Sequence, residues 1–511
     1  MSLLSRRNFF KLLGLASALK CVPRQLLEAA DGGATTTDQR PFSFETVKDE
    51  ARLAAKQAYR AQSPLPKSLA KLNYDAYRLI AFRHEEALWR DQKLPFWTEF
   101  HHRGFVHRDQ VDMFLVNDGK AKSLPFDPRF FQYRGKLSDL HVSSDCGFAG
   151  LRFLCRLPER EHYQEFCSFQ GASYFRAIPS HEVYGSSARG IAVDIGLPEP
   201  EEFPKFTKLW LDTPGRDTSA MRMWALLDGP SVAGAYEFVI TPGLKETTLD
   251  IRADLHFRRT VKKLGLGPLT SMWMWEGAGK PAADHRPEVH DADGLLVASD
   301  SGEWLWRPLR NPKSVNVARY QFGGVRGFGL LQRERELDAY RDGEALYHLR
   351  PGIWMSPREP WKDGAVELLE IPSDTEANDN IAAYWCPDKA PEAGDTLTLD
   401  YRVACGSLEP ASHVGGRAVK TTVMPRENGV TDIVIRWSAG TQRPWPVEQW
   451  IEPVVSTNVG EIRDVRTDAN ESDVRTVRFT LLREADRPAE LRVFLRSDSD
   501  ALTETWSYLC T

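Results

Sequence analysis

Ala235-Tyr-Glu-Phe-Val-Ile240 and, a short turn later, Thr247-Thr-Leu-Asp-Ile-Arg-Ala253 set the fold class of this chain. Both are rich in β-branched and aromatic residues, which suit a pleated, half-buried surface. Similar segments recur at Phe96-Trp-Thr-Glu-Phe100 and Val111-Asp-Met-Phe-Leu-Val116, each bounded by turn formers. Many short strands and few helical repeats from Phe96 to about residue 386 imply large sheets packed face to face. The expected class is all-β. No periodic internal repeat is present.

Upstream, Ser43 to Arg60 reads as a helix. Ser43 can cap it, Phe44, Val47, Ala51, Ala54 and Ala58 share one face, and Pro64 and Pro66 end it. Downstream, Pro387-Asp-Lys-Ala-Pro-Glu-Ala-Gly394 is a run of turn formers and reads as a second boundary. Strand-like segments follow at Thr396–Val403, Val430–Trp437 and Glu490–Arg496. Their span of roughly 115 residues fits an immunoglobulin-like sandwich. At 511 residues the chain exceeds the size at which one core usually divides, so two domains are expected.

The first residues differ from the rest. Ser5-Arg6-Arg7-Asn-Phe-Phe-Lys11 precedes the short apolar run Leu12–Leu19, the pattern of an export signal of the twin-arginine kind. Lys20 cuts the apolar run short, and cleavage near Ala29 or Ala30 is expected. Cys21 follows Leu19-Lys20, which is wrong for a lipoprotein signal. The expected organisation is a signal over 1–30, a linker over 31–42, a large sandwich over 43–386, a linker over 387–394 and a smaller sandwich over 395–511.

Composition narrows the function. Charged residues at 27% and apolar residues at 42% describe an ordinary globular protein. The formal charge of −5 implies no basic face for nucleic acid, and no apolar run of 18 residues implies a transmembrane segment. The seven cysteines include no C-x-x-C pair, which argues against zinc or redox motifs. A twin-arginine substrate folds in a reducing cytoplasm, so most cysteines are expected as buried small hydrophobes.

Three superficial motifs fail. Gly185-Ser-Ser-Ala-Arg-Gly190 lacks the spacing of a nucleophile elbow, and Gly265-Leu-Gly267 runs into Pro268 rather than a third glycine. His101, His102 and His107 have no metal-ligand partners at suitable spacing.

Two acidic segments remain: His285-Arg-Pro-Glu-Val-His-Asp-Ala-Asp293 and Glu370-Ile-Pro-Ser-Asp-Thr-Glu-Ala-Asn-Asp-Asn380. They lead into the aromatic-rich Gly302-Glu-Trp-Leu-Trp-Arg-Pro-Leu309 and Ile381-Ala-Ala-Tyr-Trp385. Carboxylates supply acid and base chemistry or hydrogen bonds to hydroxyls, and aromatic faces stack on sugar rings. Asp and Asn clusters also make ordinary turns, and Trp ordinarily packs in cores.

A wider set of segments carries a resemblance. Asp145-Cys-Gly-Phe-Ala-Gly150, Gly171-Ala-Ser-Tyr-Phe-Arg176, Tyr184-Gly-Ser-Ser-Ala-Arg-Gly190, Glu201-Glu-Phe-Pro204, Gly267-Pro-Leu-Thr-Ser-Met272, Gly327-Phe-Gly-Leu-Leu-Gln332 and Thr503-Glu-Thr-Trp506 occur in order. Together they resemble the periplasmic glucan biosynthesis proteins G and D. The resemblance implies a large galactose-mutarotase-like β-sandwich followed by a smaller immunoglobulin-like β-sandwich. It also implies an enzyme of the D type, cleaving β-1,2-glucan internally with inversion, or a transglycosylase, in osmoregulated periplasmic glucan biosynthesis. A non-catalytic glucan-binding biosynthesis factor is the alternative, and a polysaccharide lyase a weaker third reading. Neither metal nor organic cofactor is expected, and a homodimer is compatible with the family.

By the same resemblance, Asp379 in Glu376-Ala-Asn-Asp-Asn380 is the general acid, and Asp291 in His290-Asp-Ala-Asp293 is the general base. The family's base is understood to act through a water and a substrate hydroxyl, so a separation beyond the common range of about 6.5–9.5 Å would not disqualify the pair. Tyr174, Arg176, Tyr184, Arg189, Glu303, Trp304 and Arg307 stand in matching motifs as substrate-binding residues. Trp385 is expected in the core. Gly406 to Arg426 is shorter than the loop that D-type members place over the cleft, and Ser301-Gly-Glu303 replaces Asn-Gly-Glu. Both departures bear on closure and turnover.

Overall fold

The computed structural model describes residues 39–511 except 158–160, 408, 414, 441–443, 447–449, 472 and 485–486. The expected export signal over 1–30 and most of the linker over 31–42 lie outside the described residues. The linker's end, Arg40–Pro41, pairs as a short strand with Lys120–Leu124.

The chain is all-β, with 49% of it in strands and 9% in helices, arranged as packed sheets. It forms two compact units, and neither is a continuous stretch of chain. One holds the described residues up to Leu269 together with Tyr384–Gly406; the other holds Thr270–Ala383 and Ser407–Thr511.

In the first unit, one sheet runs Lys120–Leu124, Asp112–Asn117, Lys205–Asp212, Met221–Asp228, Val232–Thr241, Glu246–Phe257 and Thr396–Gly406 in spatial order. The period of two is plain in Glu246–Phe257. Thr247, Leu249, Ile251, Ala253 and Leu255 are buried, while the residues between them are not. On the outer face Asp250 stands opposite Arg402, and Arg402 donates to both of its oxygens at 2.8 Å. A second sheet includes Ser187–Arg189, Tyr174–Ala177, Gln164–Gln170, Phe148–Cys155 and Phe96–His102.

The expected helix spans Phe44–Ala55, with Ser43 as its N-cap. Its buried Val47 and Ala51 pack with Phe42, Trp210, Trp224 and Ala235. It stops short of Arg60: Lys56 N–H closes on Leu53 and Gln57 N–H on Ala54, a tightened last turn whose Ala54 carbonyl also accepts from the Arg258 guanidinium at 2.7 Å.

The second unit has one sheet in the order Gly352–Pro357, Val325–Leu331, Gly294–Ser299, Trp304–Pro308, Thr505–Cys510, Ala489–Ser497, Glu452–Thr457. A four-stranded sheet, Arg417–Pro425, Val430–Ser438, Val474–Leu482 and Glu461–Glu471, shares its core. Leu296, Trp306 and Leu331 pack with Ile433, Trp437, Phe479, Leu491, Val493 and Trp506 in one buried cluster.

This corrects the expected division at 387–394. Thr396–Gly406 pairs along Glu246–Phe257 in the first unit, and the strands after it share a core with residues of the expected N-terminal domain. The turn formers mark a reversal of direction: Gly394 N–H bonds to Phe257, and Phe257 N–H bonds to Asp395. Local turn chemistry reports a bend and is silent on which core the next strand joins. The six cysteines among the described residues are buried and free, as expected. Among those residues no helix is long and apolar enough to cross a membrane.

Candidate active site

Both acidic segments converge on one short stretch, Thr270–Trp275, within the second unit. Trp273–Trp275 pairs antiparallel with Val289–His290, setting Trp273 opposite His290. One residue on, Asp291 N–H donates to the Met272 carbonyl at 2.8 Å. Against the same stretch, Asn380 N–H donates to Ser271 at 3.1 Å. The Asn380 side chain accepts from Trp273 N–H at 2.8 Å and donates to the Trp273 and Ile371 carbonyls at 2.9 and 3.1 Å. A buried amide with its donors and acceptor used this way pins the loop that carries Asp379. Thr270 Oγ1 then donates to Asp379 Oδ2 at 3.0 Å. The Asp379 carboxylate and the Asp291 backbone, 88 positions apart in sequence, thus both contact the four residues Thr270–Trp273.

Their surroundings differ. Asp379 is half-buried, with a neutral hydroxyl against it. Asp291 is fully buried and ion-paired with Arg350, itself fully buried. Arg350 also donates to the Ala345 carbonyl, at 3.0 Å through Nη2, and lies 4.2 Å over the Tyr347 ring. The Tyr347 hydroxyl donates to Glu376 Oε2 at 2.9 Å, and Arg286 reaches the same oxygen at 2.7 Å. Arg286 further contacts Asp284 and Asp342, at 2.8 and 3.2 Å. Burial pushes the Tyr347 phenol up; Arg350 opposes this, and Glu376 and Asp291 reinforce it. The phenol therefore remains a hydrogen donor. For Arg286 burial works against the charge, but Asp284 and Glu376 outweigh it and hold the guanidinium protonated. A continuous line, Asp291–Arg350–Tyr347–Glu376–Arg286, ties one catalytic candidate to the loop bearing the other.

Residues 42–510 match the family model for the periplasmic glucan biosynthesis protein MdoG. The chain belongs to that family. It is 39% identical to glucans biosynthesis protein D 1 of Ralstonia nicotianae, over 99% of this chain and 98% of that one. It is 40% identical to glucans biosynthesis protein G of Rhodopseudomonas palustris, over 95% and 97%. Among solved structures, the GH36 alpha-galactosidase AgaB from Geobacillus stearothermophilus matches at a TM-score of 0.24 and 9% identity, over 50% of this chain and 38% of that one. That likeness is too slight to bear on either fold or chemistry.

In this MdoG-family chain the other expected site residues divide between the units. Tyr174, Arg176, Tyr184 and Arg189 lie in the first. Arg189 is buried, ion-paired with Glu201 at 2.6 Å, and its guanidinium stands 5.3 Å over Tyr174, its cross-strand partner. Arg176 and Tyr174 are half-buried. Burial and then the adjacent Glu165 push the Tyr184 phenol up. In the second unit Glu303 is engaged by Arg492 at 2.6 Å and Thr505 at 3.0 Å.

One expectation changes. Arg307 is fully buried, 3.5 Å from Glu490 and 4.0 Å from Glu370, so it has no surface to offer a sugar. Trp304 stacks on His413 and Trp354, with centroids at 4.6 and 5.9 Å, and packs against the sandwich core. Arg307 belongs to the scaffold, whereas Trp304 is only partly buried. Trp385 is in the core, as expected. Tyr347 and Arg350 carried no signal in the sequence, whereas Thr270, Arg286 and Glu376 stand in the Gly267–Met272, His285–Asp293 and Glu376–Asn380 segments without a role of their own assigned there.

His290 completes the neighbourhood. Its Nδ1 faces Gln332 Oε1 at 3.2 Å, and its Nε2 lies 3.5 Å from Glu288 and 3.6 Å from Asp293. Burial disfavours the imidazolium, but Asp293, Glu288 and Glu276 outweigh it and raise the group to about 9. Burial also pushes the Glu276 carboxyl up to about 7, with Asp293 adding to it.

Within the short Gly406–Arg426 segment, Glu409 is held by ion pairs. Glu409 accepts from Arg333 at 2.6 Å and pairs with His413 and Arg417, each at 2.7 Å. Burial alone would raise its carboxyl, yet Arg333, His413 and Arg417 lower it to about 2. A depressed folded value adds stability that is fully present above the ordinary value of 4.5 and is lost as pH falls through about 2. Glu409→Gln should therefore cost on the order of 2 kcal/mol at pH 7, a deficit that closes as the parent is acidified. Urea titrations at pH 7, 4 and 2.5 check this; a deficit constant across that range would rule out the ion-pair account.

Proposed function

We propose that this protein acts on β-1,2-glucan in the periplasm, as an inverting, endo-acting hydrolase or as a transglycosylase of osmoregulated glucan biosynthesis. Asp379 is the general acid on the bridging oxygen, and Asp291 the general base. The observation that carries the reading is the convergence of both acidic segments on Thr270–Trp273, which sets one carboxylate half-buried and the other sealed. Inversion needs an acid and a base in different surroundings on opposite sides of the bond. Full burial of Asp291 supports a relay, in which a water and a substrate hydroxyl carry the proton to it. Tyr174, Arg176, Tyr184, Glu303 and Trp304 are not fully buried, which leaves each of them able to meet sugar hydroxyls or ring faces. The test is incubation with linear β-1,2-glucan, with new reducing ends counted and the first anomer read by NMR. An α-anomer first supports inversion; glycosyl exchange without new ends selects the transglycosylase.

Burial of Asp291 against Arg350 also favours a second reading, a glucan-binding biosynthesis factor without turnover. Calorimetric binding of the glucan with neither new ends nor exchange would select it.

Export by the twin-arginine route is proposed from Arg6 and Arg7. Replacing both by Lys should leave the protein in the cytoplasm, and cell fractionation reads the result. An unchanged periplasmic yield would remove the route.

A further inference from the structure

We infer that Glu288, His290 and Asp293 bind one divalent transition-metal cation of the Zn2+ or Mn2+ class, a site distinct from the carboxylate pair and independent of whether that pair cleaves glucan. It departs from the expectation, drawn from the sequence, that no metal is involved. One ligand atom from each of the three residues lies within 4.8 Å of the others.

The imidazole is oriented for the task. Gln332 Nε2 donates to the Tyr340 hydroxyl and, at 3.2 Å, to the Tyr347 carbonyl. That fixes the amide with its oxygen towards His290 Nδ1, so Nδ1 carries the hydrogen of that bond. An outer hydrogen bond on the far ring nitrogen is what orients a metal-bound imidazole. Nε2 is left facing Glu288 and Asp293, fully buried and without a hydrogen bond.

Distance separates the two ways to occupy this space. A charge-assisted N–H···O contact closes to about 2.7–2.9 Å. Nε2 instead stands 3.5 Å from Glu288 Oε2 and 3.6 Å from Asp293 Oδ1. Two ligands bonded at about 2.0–2.2 Å to a tetrahedral ion are about 3.4 Å apart. Both nitrogen–oxygen spacings are those of ligands around a shared ion, and the two carboxylate oxygens lie within 4.8 Å of each other.

The carboxylates are held for it as well. Asp293 Oδ2 accepts from the backbone N–H groups of Arg333 and Glu334, which leaves Oδ1 towards His290. Glu288 turns its other oxygen, Oε1, to Lys420 at 3.9 Å. One imidazole and two carboxylates form a borderline donor set, suited to Zn2+ or Mn2+ rather than to Cu(I), and water would complete the shell. Asp291 lies in the chain between two of the ligands, so the cation would stiffen the turn that presents it.

The full mature protein, stripped with a chelator and dialysed, is titrated with Zn2+ and Mn2+ by calorimetry at pH 7.5. One equivalent of at least one of the two is expected, and Glu288→Gln and Asp293→Asn should each weaken it at least tenfold. Melting curves of the variants in chelator confirm that they remain folded. Co2+ titration of the unmutated protein gives a readout that depends on no variant, the intense visible absorption of a four-coordinate cobalt site. Less than one equivalent of both metals, a cobalt spectrum equal to that of the free ion, or affinities within twofold in both variants would overturn the site and leave His290 as an imidazolium between two carboxylates.

Discussion

Asp379→Asn should reduce cleavage of linear β-1,2-glucan by on the order of 100- to 10,000-fold, the usual weight of a positioned acid or base, while leaving glucan binding near that of the parent. The amide keeps the shape and still accepts from Thr270 Oγ1, which bonds Asp379 at 3.0 Å, but it has no proton to give the leaving oxygen. Asp291→Asn should lose turnover to a similar extent, because the water can no longer be deprotonated. Leaving-group chemistry tells the two roles apart. An aryl glucoside accepted by the enzyme departs with little protonation, so it should partly rescue the Asp379 variant and fail to rescue the Asp291 variant. Asp291 is buried in an ion pair, so its variant must be assayed below its own melting temperature. Equal rescue would reverse or remove the roles, and full activity of either variant on the glucan would end the assignment.

Arg350→Leu should destabilise the protein by about 3–5 kcal/mol, since it strands the fully buried Asp291 carboxylate without its cation. It also removes the bonds to the Ala345 carbonyl and the cover over Tyr347. Pairing it with Asp291→Asn discriminates between these losses. If the unpaired charge dominates, the double variant should be more stable than Arg350→Leu alone, because a neutral amide costs less to bury than a carboxylate. Urea midpoints of the parent, both single variants and the double variant give the coupling. A double variant that loses the sum of the two single losses would assign the effect to packing around Ala345 and Tyr347 instead. Loss of turnover is expected in either case, since Arg350 positions Asp291.

How far the chain could be read without its structure follows from how local each signal is. Alternation in Ala235–Ile240 and Thr247–Ala253 and the capping serine at Ser43 act within a few residues, and each was legible as a strand or a helix start, whereas the equally local turn formers at 387–394 read as a domain boundary. Legible too were the two acidic segments and, through the resemblance, the family and the choice of Asp379 and Asp291. What a local signal cannot carry is partnership. Thr396–Gly406 reads as a strand in any context, yet only its register against Glu246–Phe257 places it in the first unit. Arg307 looks like a sugar-binding residue in its motif, and burial against Glu490 and Glu370 alone makes it scaffold. Arg350 stands 59 positions from Asp291, and Thr270 stands 109 from Asp379. Strand periodicity and turn chemistry are set by each residue's own backbone and neighbours, so the sequence determined the elements and the candidate carboxylates. Convergence on Thr270–Trp273, the sealing of Asp291 and the division into units depend on contacts between distant segments, whose free energy exists only once the sheets have packed, and those only the tertiary structure decided.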